Sequence, residues 1–257
     1  MQNVYDNARV MLLQLSRTQI RKRENISLVL NIPQLGEITC TKILRGVSGK
    51  RLVCYAYQGE KEFVLKIFFH PSRAEKHWSI SNHGLNLFNK KSILTPEIFF
   101  SGYLQTEDLY VILLKYLKNS ISFTEESKNY RSAFTHKMIS CLAEQHDKGI
   151  IQKDANPGNF LLYQDNIYSL DGDHVHDLKT GLSKKKGLKN LAVFCSKLST
   201  ICPLDLEACY REYAQQRNWA IARNDIKYFW GKFRFYTMQV SLRRMLKILK
   251  RKMKLLE

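Results

Sequence analysis

The chain has 257 residues, 44% hydrophobic and 11% aromatic, which argues against a disordered chain and allows one large or two small domains. Its net charge of +18 calls for a polyanionic partner, whether nucleic acid, an anionic membrane surface or a phosphorylated substrate. No apolar run approaches the 18 residues of a transmembrane helix, and Asp6, Arg9 and Arg17 break up the N-terminus, so neither a membrane span nor a signal peptide is expected.

The first thirty residues alternate apolar and basic positions. Val10, Leu13, Arg17, Ile20 and Arg21 fit helical spacing weakly and predict an N-terminal helix or frayed extension, with a membrane contact as the alternative. Three strands follow, at Glu37–Leu44, Leu52–Tyr57 and Glu62–Phe69. The turn between the first two, Arg45 to Arg51, is basic and holds Gly46 and Gly49. It reads as a plain hairpin turn, or as one whose freed backbone N–H groups would lie against phosphates. Lys66 lies inside the apolar run Val64–Phe68, on an exposed face or in a functional one. From Ser72 a helix is expected, with Glu75 in its first turns. Glu75 would either pair with Lys66 or favour the helix dipole.

Further strands are expected at Ile98–Phe100 and Leu109–Leu114, then a possible hinge at Lys115–Asn119. Tyr130–Lys148 predicts a helix with Phe134, Met138, Leu142 and His146 on one face, Ile139 beside them and Gly149 at its end; His146 reads as packed or capping rather than as a ligand.

The chemistry concentrates in Gly149–Asp173, GIIQKDANPGNFLLYQDNIYSLDGD. It reads as a turn-rich loop carrying Asp154 and Asn159, a short hairpin, and a strand ending at Asp171. Such a cluster of oxygen-bearing side chains suits Mg²⁺, which takes hard oxygen ligands and keeps nucleotide phosphates in its shell. His174, His176 and Asp177 lack a third His or Cys spaced to complete a tetrahedral zinc site. Ser183–Gly187 reads as a basic loop, either solvated or in contact with an anionic acceptor. Helices are expected at Leu188–Ser199 and Leu204–Gln216. Leu242–Glu257 reads as a basic amphipathic helix that would lie on an anionic leaflet or dock its apolar stripe on the domain. The six cysteines form no CxxC pair and read as buried thiols in a reducing cytoplasm.

The order Asp154, Asn159, Asp171 is that of a kinase catalytic loop, H-R-D-x-x-x-x-N, followed by the metal-binding Asp of the next hairpin, and Lys66 takes the place of the third-strand lysine. Gln152 and Lys153 stand where His and Arg would be, and Gly172-Asp173 replaces Phe-Gly. With these residues the chain resembles the protein-kinase-like superfamily, and within it the bacterial lipopolysaccharide core kinases that act on Kdo or heptose. The resemblance implies an α+β, bilobal fold with a small antiparallel-sheet N-lobe (37–117), a mainly helical C-lobe (118–257) and a helical extension (1–36). It implies ATP and Mg²⁺ as cofactors, Asp154 as base, Asn159 and Asp171 on the metal, and Lys66, supported by Glu75, on the phosphates, with Gly46 and Gly49 nearby. These groups would converge in a cleft between the lobes. The acceptor would be a sugar of the lipopolysaccharide inner core, met at the cytoplasmic face of the inner membrane. A catalytically silent kinase-fold binding protein is the alternative. No nucleic-acid-binding motif is present, so no nucleic acid is expected despite the charge.

Overall fold

The computed structural model describes residues 8–123, 131–179 and 181–253. The chain divides into two compact units: residues up to Asn86 with Thr95–Lys118, and Leu87–Leu94 with the chain from Asn119 onward.

The first unit is a six-stranded, wholly antiparallel sheet. Its strands are β1 (Asn25–Ile32), β2 (Gly36–Val47), β3 (Arg51–Gln58), β4 (Lys61–Phe68), β5 (Ile98–Leu104) and β6 (Leu109–Lys115), in the order β1-β2-β3-β4-β6-β5. Alternation drives the pairing: Leu52, Cys54 and Ala56 on β3 and Phe63, Leu65 and Ile67 on β4 turn to one buried face. Each fully buried Leu or Ile adds roughly 1.5–3 kcal/mol. β6 lies between two strands and is buried from Val111 to Leu114, so it reads as a continuous apolar run.

The expected helical extension of residues 1–36 is corrected here. Residues 1–7 lie outside the described part. Helix survives as α1 (Ala8–Gln14) and α2 (Arg17–Lys22), the latter opened by a Ser16–Gln19 capping box. Asn25–Ile32, however, is a strand: Leu28, Leu30 and Ile32 recur at period two, bury fully or nearly so, and pair with β2. α3 (Ala74–Lys90) follows β4 as expected.

The second unit is mainly helical, with α4 (Arg131–Asp147), α5 (Lys184–Leu198), α6 (Leu206–Gln216) and α7 (Arg223–Met253). Tyr130, where α4 was expected to start, lies outside the described residues. Phe134, Met138, Ile139 and Leu142 of α4 pack with Leu188, Leu191 and Phe194 of α5, Tyr210 and Tyr213 of α6 and Phe229 of α7. Short strands run through this unit: β7 (Ile121–Ser122), β8 (Ile150–Gln152), β9 (Phe160–Tyr163), β10 (Asn166–Ser169) and β11 (Val175–Asp177). They pair as β10-β9-β7 and β11-β8.

Two boundaries differ from the sequence reading. Ser183–Gly187 is the start of α5 rather than a loop; the Gly187 amide already bonds the Ser183 carbonyl at 2.9 Å. Three lysines and a glycine disfavour a helix N-terminus, but Gly187 is required by packing, since a Cβ there would lie 2.5 Å from the Tyr213 hydroxyl. The last helix starts at Arg223 rather than Leu242, because Phe229, Trp230, Phe233 and Tyr236 anchor it to the core and Lys184 pairs with Asp225 at 2.6 Å. Its expected end, residues 254–257, lies outside the described part.

Candidate active site

Gly149 ends the α4 segment with φ +76°, a left-handed conformation that glycine adopts without strain. The chain then enters β8, which pairs with β11, and the Lys153 amide bonds the His174 carbonyl at 3.1 Å. Asp154 follows on the turn. Asn156 accepts from the Gly158 amide at 3.0 Å and caps one 3₁₀ turn, Pro157–Asn159, with proline at its start. The Asn159 carbonyl then accepts from the Leu170 amide at 2.9 Å, which holds Asn159 beside the strand end carrying Asp171. Asp171 is buried, and one of its carboxylate oxygens accepts from the Asp173 amide at 3.2 Å. Asn159 and Asp171 thus lie on hydrogen-bonded neighbouring segments.

Behind this loop lies a buried polar chain that the sequence did not disclose. Gln152, 2% exposed, donates to Gln145 Oε1 at 2.9 Å, and Gln145 donates to Ser169 Oγ at 2.9 Å. The residue at the usual His position thus links the Asp154 loop, through α4, to the strand delivering Asp171. Asn190 of α5 donates to the Gln152 carbonyl at 2.9 Å and turns its oxygen to His146 Nε2 at 3.0 Å. That fixes the proton of a neutral His146 on Nε2 and leaves Nδ1 to accept from the Tyr213 hydroxyl at 2.6 Å. Burial pushes the imidazole down to about 3, so His146 stays neutral as a packed, bonded residue.

Asp154 itself is open, its side chain 65% exposed, and pairs with the Lys197 ammonium of α5. It faces a groove of about 440 Å³ whose lining includes Lys153, Lys186, Lys189, Lys197, Tyr236 and Arg243. Lys186, Lys189 and Lys197 recur at helical spacing on one face of α5. That stripe becomes visible in the sequence once the helix is started at Ser183.

The remaining predicted residues belong to the first unit. Lys66 is 8% exposed in β4, between Val53 and Ile112, a position where an ammonium is kept only if partnered. Glu75 is exposed in the first turn of α3, beside Tyr110; burial first, and then this carboxylate, push the Tyr110 hydroxyl up. Gly46 lies in the β2–β3 ladder opposite Leu52. A Cβ there would meet Leu52 at 2.8 Å and Ile20 of α2 at 3.1 Å, so close packing accounts for this glycine. Gly49, with φ +69°, makes the turn. The structure therefore gathers Asp154, Asn159 and Asp171 in one unit and Lys66, Glu75, Gly46 and Gly49 in the other.

The fold, an antiparallel-sheet unit followed by a mainly helical one, is protein-kinase-like. Among solved structures the chain is similar to WaaP in complex with acyl carrier protein: TM-score 0.54, 11% identity, 87% of this chain and 90% of that one covered. An aminoglycoside-3'-phosphotransferase of type VIII matches with TM-score 0.52 at 13% identity, over 73% of this chain and 90% of that one. The BubR1 kinase domain matches with TM-score 0.52 at 13% identity, over 84% and 89%. No protein-family model matches the chain. No curated protein matches it in sequence.

Proposed function

We propose that this chain is an ATP-dependent kinase that phosphorylates a sugar hydroxyl, on heptose or Kdo, of the lipopolysaccharide inner core. The carrying observation is the open carboxylate of Asp154 at a groove lined by lysine and arginine, with Asn159 and Asp171 on bonded segments beside it. The likeness in fold to WaaP supports the kinase reading, and the substrate class follows from the sequence resemblance carried by Lys66, Asp154, Asn159 and Asp171.

In this reading Asp154 orients the acceptor hydroxyl and takes its proton. Lys197 yields the carboxylate as the hydroxyl arrives, at small cost, because an exposed ion pair is worth only about 0–1 kcal/mol. Lys186, Lys189 and Arg243 hold the anionic groups of the acceptor. Asn159 and Asp171 would hold Mg²⁺, which when bound neutralises charge on the phosphates of ATP. Lys66, supported by Glu75, would hold the non-transferred phosphates. Phosphoryl transfer needs positioning and charge stabilisation more than covalent chemistry, so this set suffices. The acceptor would be met at the cytoplasmic face of an anionic inner membrane.

Purified protein given core oligosaccharide and labelled ATP with Mg²⁺ is expected to transfer phosphate, and Asp154→Ala to lower kcat by about 10²–10⁴. Equal transfer by the variant refutes the assignment. The second reading, a catalytically silent kinase-fold binding protein, is favoured by the Lys197–Asp154 pair, which occupies the base, and by Gly172-Asp173 in place of Phe-Gly. Thermal stabilisation by Mg²⁺-ATP without transfer to any sugar acceptor would select it.

A further inference from the structure

The second half of α7 turns its apolar side the wrong way for a helix of this domain. Phe235, Met238, Leu242, Met245, Leu246 and Leu249 are each 46% to 63% exposed. At 100° per residue these six fall within an arc of about 100°. Most of the residues that pack α7 on the core, Ile226, Phe229, Phe233 and Tyr236, lie on the opposite side of the helix, with Trp230 toward its edge; Tyr228, in the first two turns, packs from the stripe side before the stripe begins. From Ser241 to Leu249 every described side chain is exposed, so the domain itself does not bury this segment. Six large apolar side chains in one outward stripe mark a contact surface, not scattered surface residues.

Charge decides what covers it. Between Arg234 and Met253 the sequence has seven Lys and Arg and no Asp or Glu. A second copy of the helix would bring two such cationic flanks together with no acidic side chain to pair them. An anionic bilayer surface meets both demands: acyl chains accept the stripe while lysine and arginine stems reach back to the headgroup phosphates. The stripe from Phe235 to Leu249 is about 21 Å long, enough to lie along the interface. Among the described residues no helix is long and apolar enough to cross the membrane, so the contact is a surface one.

We propose that the outward stripe of α7 docks this protein on an anionic phospholipid surface, with the helix lying in the headgroup layer. Arg243, about a third of a turn round from the centre of the stripe, also lines the groove that holds Asp154. Docking therefore brings that groove to headgroup level. This last step rests on the kinase reading; the docking does not.

The test is co-sedimentation of the full chain with vesicles of phosphatidylcholine alone or with 30% phosphatidylglycerol, without nucleotide. Binding to the anionic vesicles is expected, along with a fall of at least tenfold for Leu242→Asp combined with Leu246→Asp. Both positions are exposed, so an unchanged circular dichroism spectrum and Tm are expected of the variant. Failure of the parent chain to sediment, or equal binding by the variant, overturns the proposal. So does a concentration-dependent dimer that the two substitutions dissociate while vesicle binding persists; that result assigns the stripe to self-association. Because vesicle binding needs no ATP, its failure leaves the kinase reading standing, and lost kinase activity leaves the docking surface standing.

Discussion

Gln152→Leu tests whether the polar chain behind the catalytic loop ties its two ends together. Gln152 is 2% exposed and its amide is a donor to Gln145 Oε1 at 2.9 Å. Leucine keeps most of the volume but leaves that oxygen buried without this donor, a cost of about 1–3 kcal/mol. For a chain of this size that corresponds to a Tm lower by about 2–12 °C. Gln145→Leu should cost a comparable amount, because it leaves the buried Gln152 amide without this acceptor and Ser169 Oγ without this donor. With both glutamines replaced, neither the Gln145 oxygen nor the Gln152 amide N–H is left behind without the other, so the double variant should be more stable than the sum of the single losses by roughly 0.5–3 kcal/mol. Thermal unfolding by circular dichroism measures the stabilities, and kcat and KM measure the site. On the proposed function, Gln152→Leu lowers kcat more than it raises KM, because Asp154 and Asp171 lose their shared support. A Tm within 1 °C of the parent, together with strictly additive losses, would refute the linkage.

Further outcomes follow from the same geometry. His146 has its folded pKa pushed down to about 3 by burial, below an unfolded value near 6.5; the unfolded chain therefore takes up a proton first. Its contribution is complete above about pH 6.5 and is lost as pH falls toward 3, with a slope of about 1.4 kcal/mol per pH unit. His146→Gln should flatten stability against pH in that window. Gly187→Ala would place a methyl 2.5 Å from the Tyr213 hydroxyl and should cost about 1–3 kcal/mol in thermal unfolding. Lys197→Met should change stability by less than about 1 kcal/mol in thermal unfolding, since its pair with Asp154 is exposed, whereas Lys189→Met should raise KM for an anionic acceptor roughly tenfold and leave KM for ATP unchanged.

What was legible in the sequence was whatever a local rule determines. Period-two alternation and glycine turns marked β2 to β4, and the apolar face of α4 was readable from Phe134, Met138 and Leu142. The loop of Asp154 and Asn159 with its following hairpin was readable because Pro157-Gly158 and Asp165-Asn166 announce their turns. What escaped depends on partners distant in the chain. Gly187 argues against a helix until Tyr213 is seen to need the space. The aromatic start of α7 is helical because it packs, not by propensity. Gln145, Gln152, Ser169 and Asn190 carry no periodic signature; only the fold makes them one chain of bonds. β1 was hidden because Leu28, Leu30 and Ile32 follow a stretch that does form helix.

Net charge alone leaves nucleic acid, membrane and phosphorylated substrate open; on the two readings proposed above, the arrangement of that charge separates them. Lysines of α5 and Arg243 of α7 line, together with Asp154, a groove of about 440 Å³. The rest of the basic residues of α7 flank an apolar stripe, a combination that suits lipid headgroups rather than a nucleic-acid backbone. One helix thus lines the groove of Asp154 on one side and carries the exposed apolar stripe on another. On the proposed function these are two ends of one substrate: the sugar enters the groove while the lipid that anchors it stays in the bilayer beneath α7.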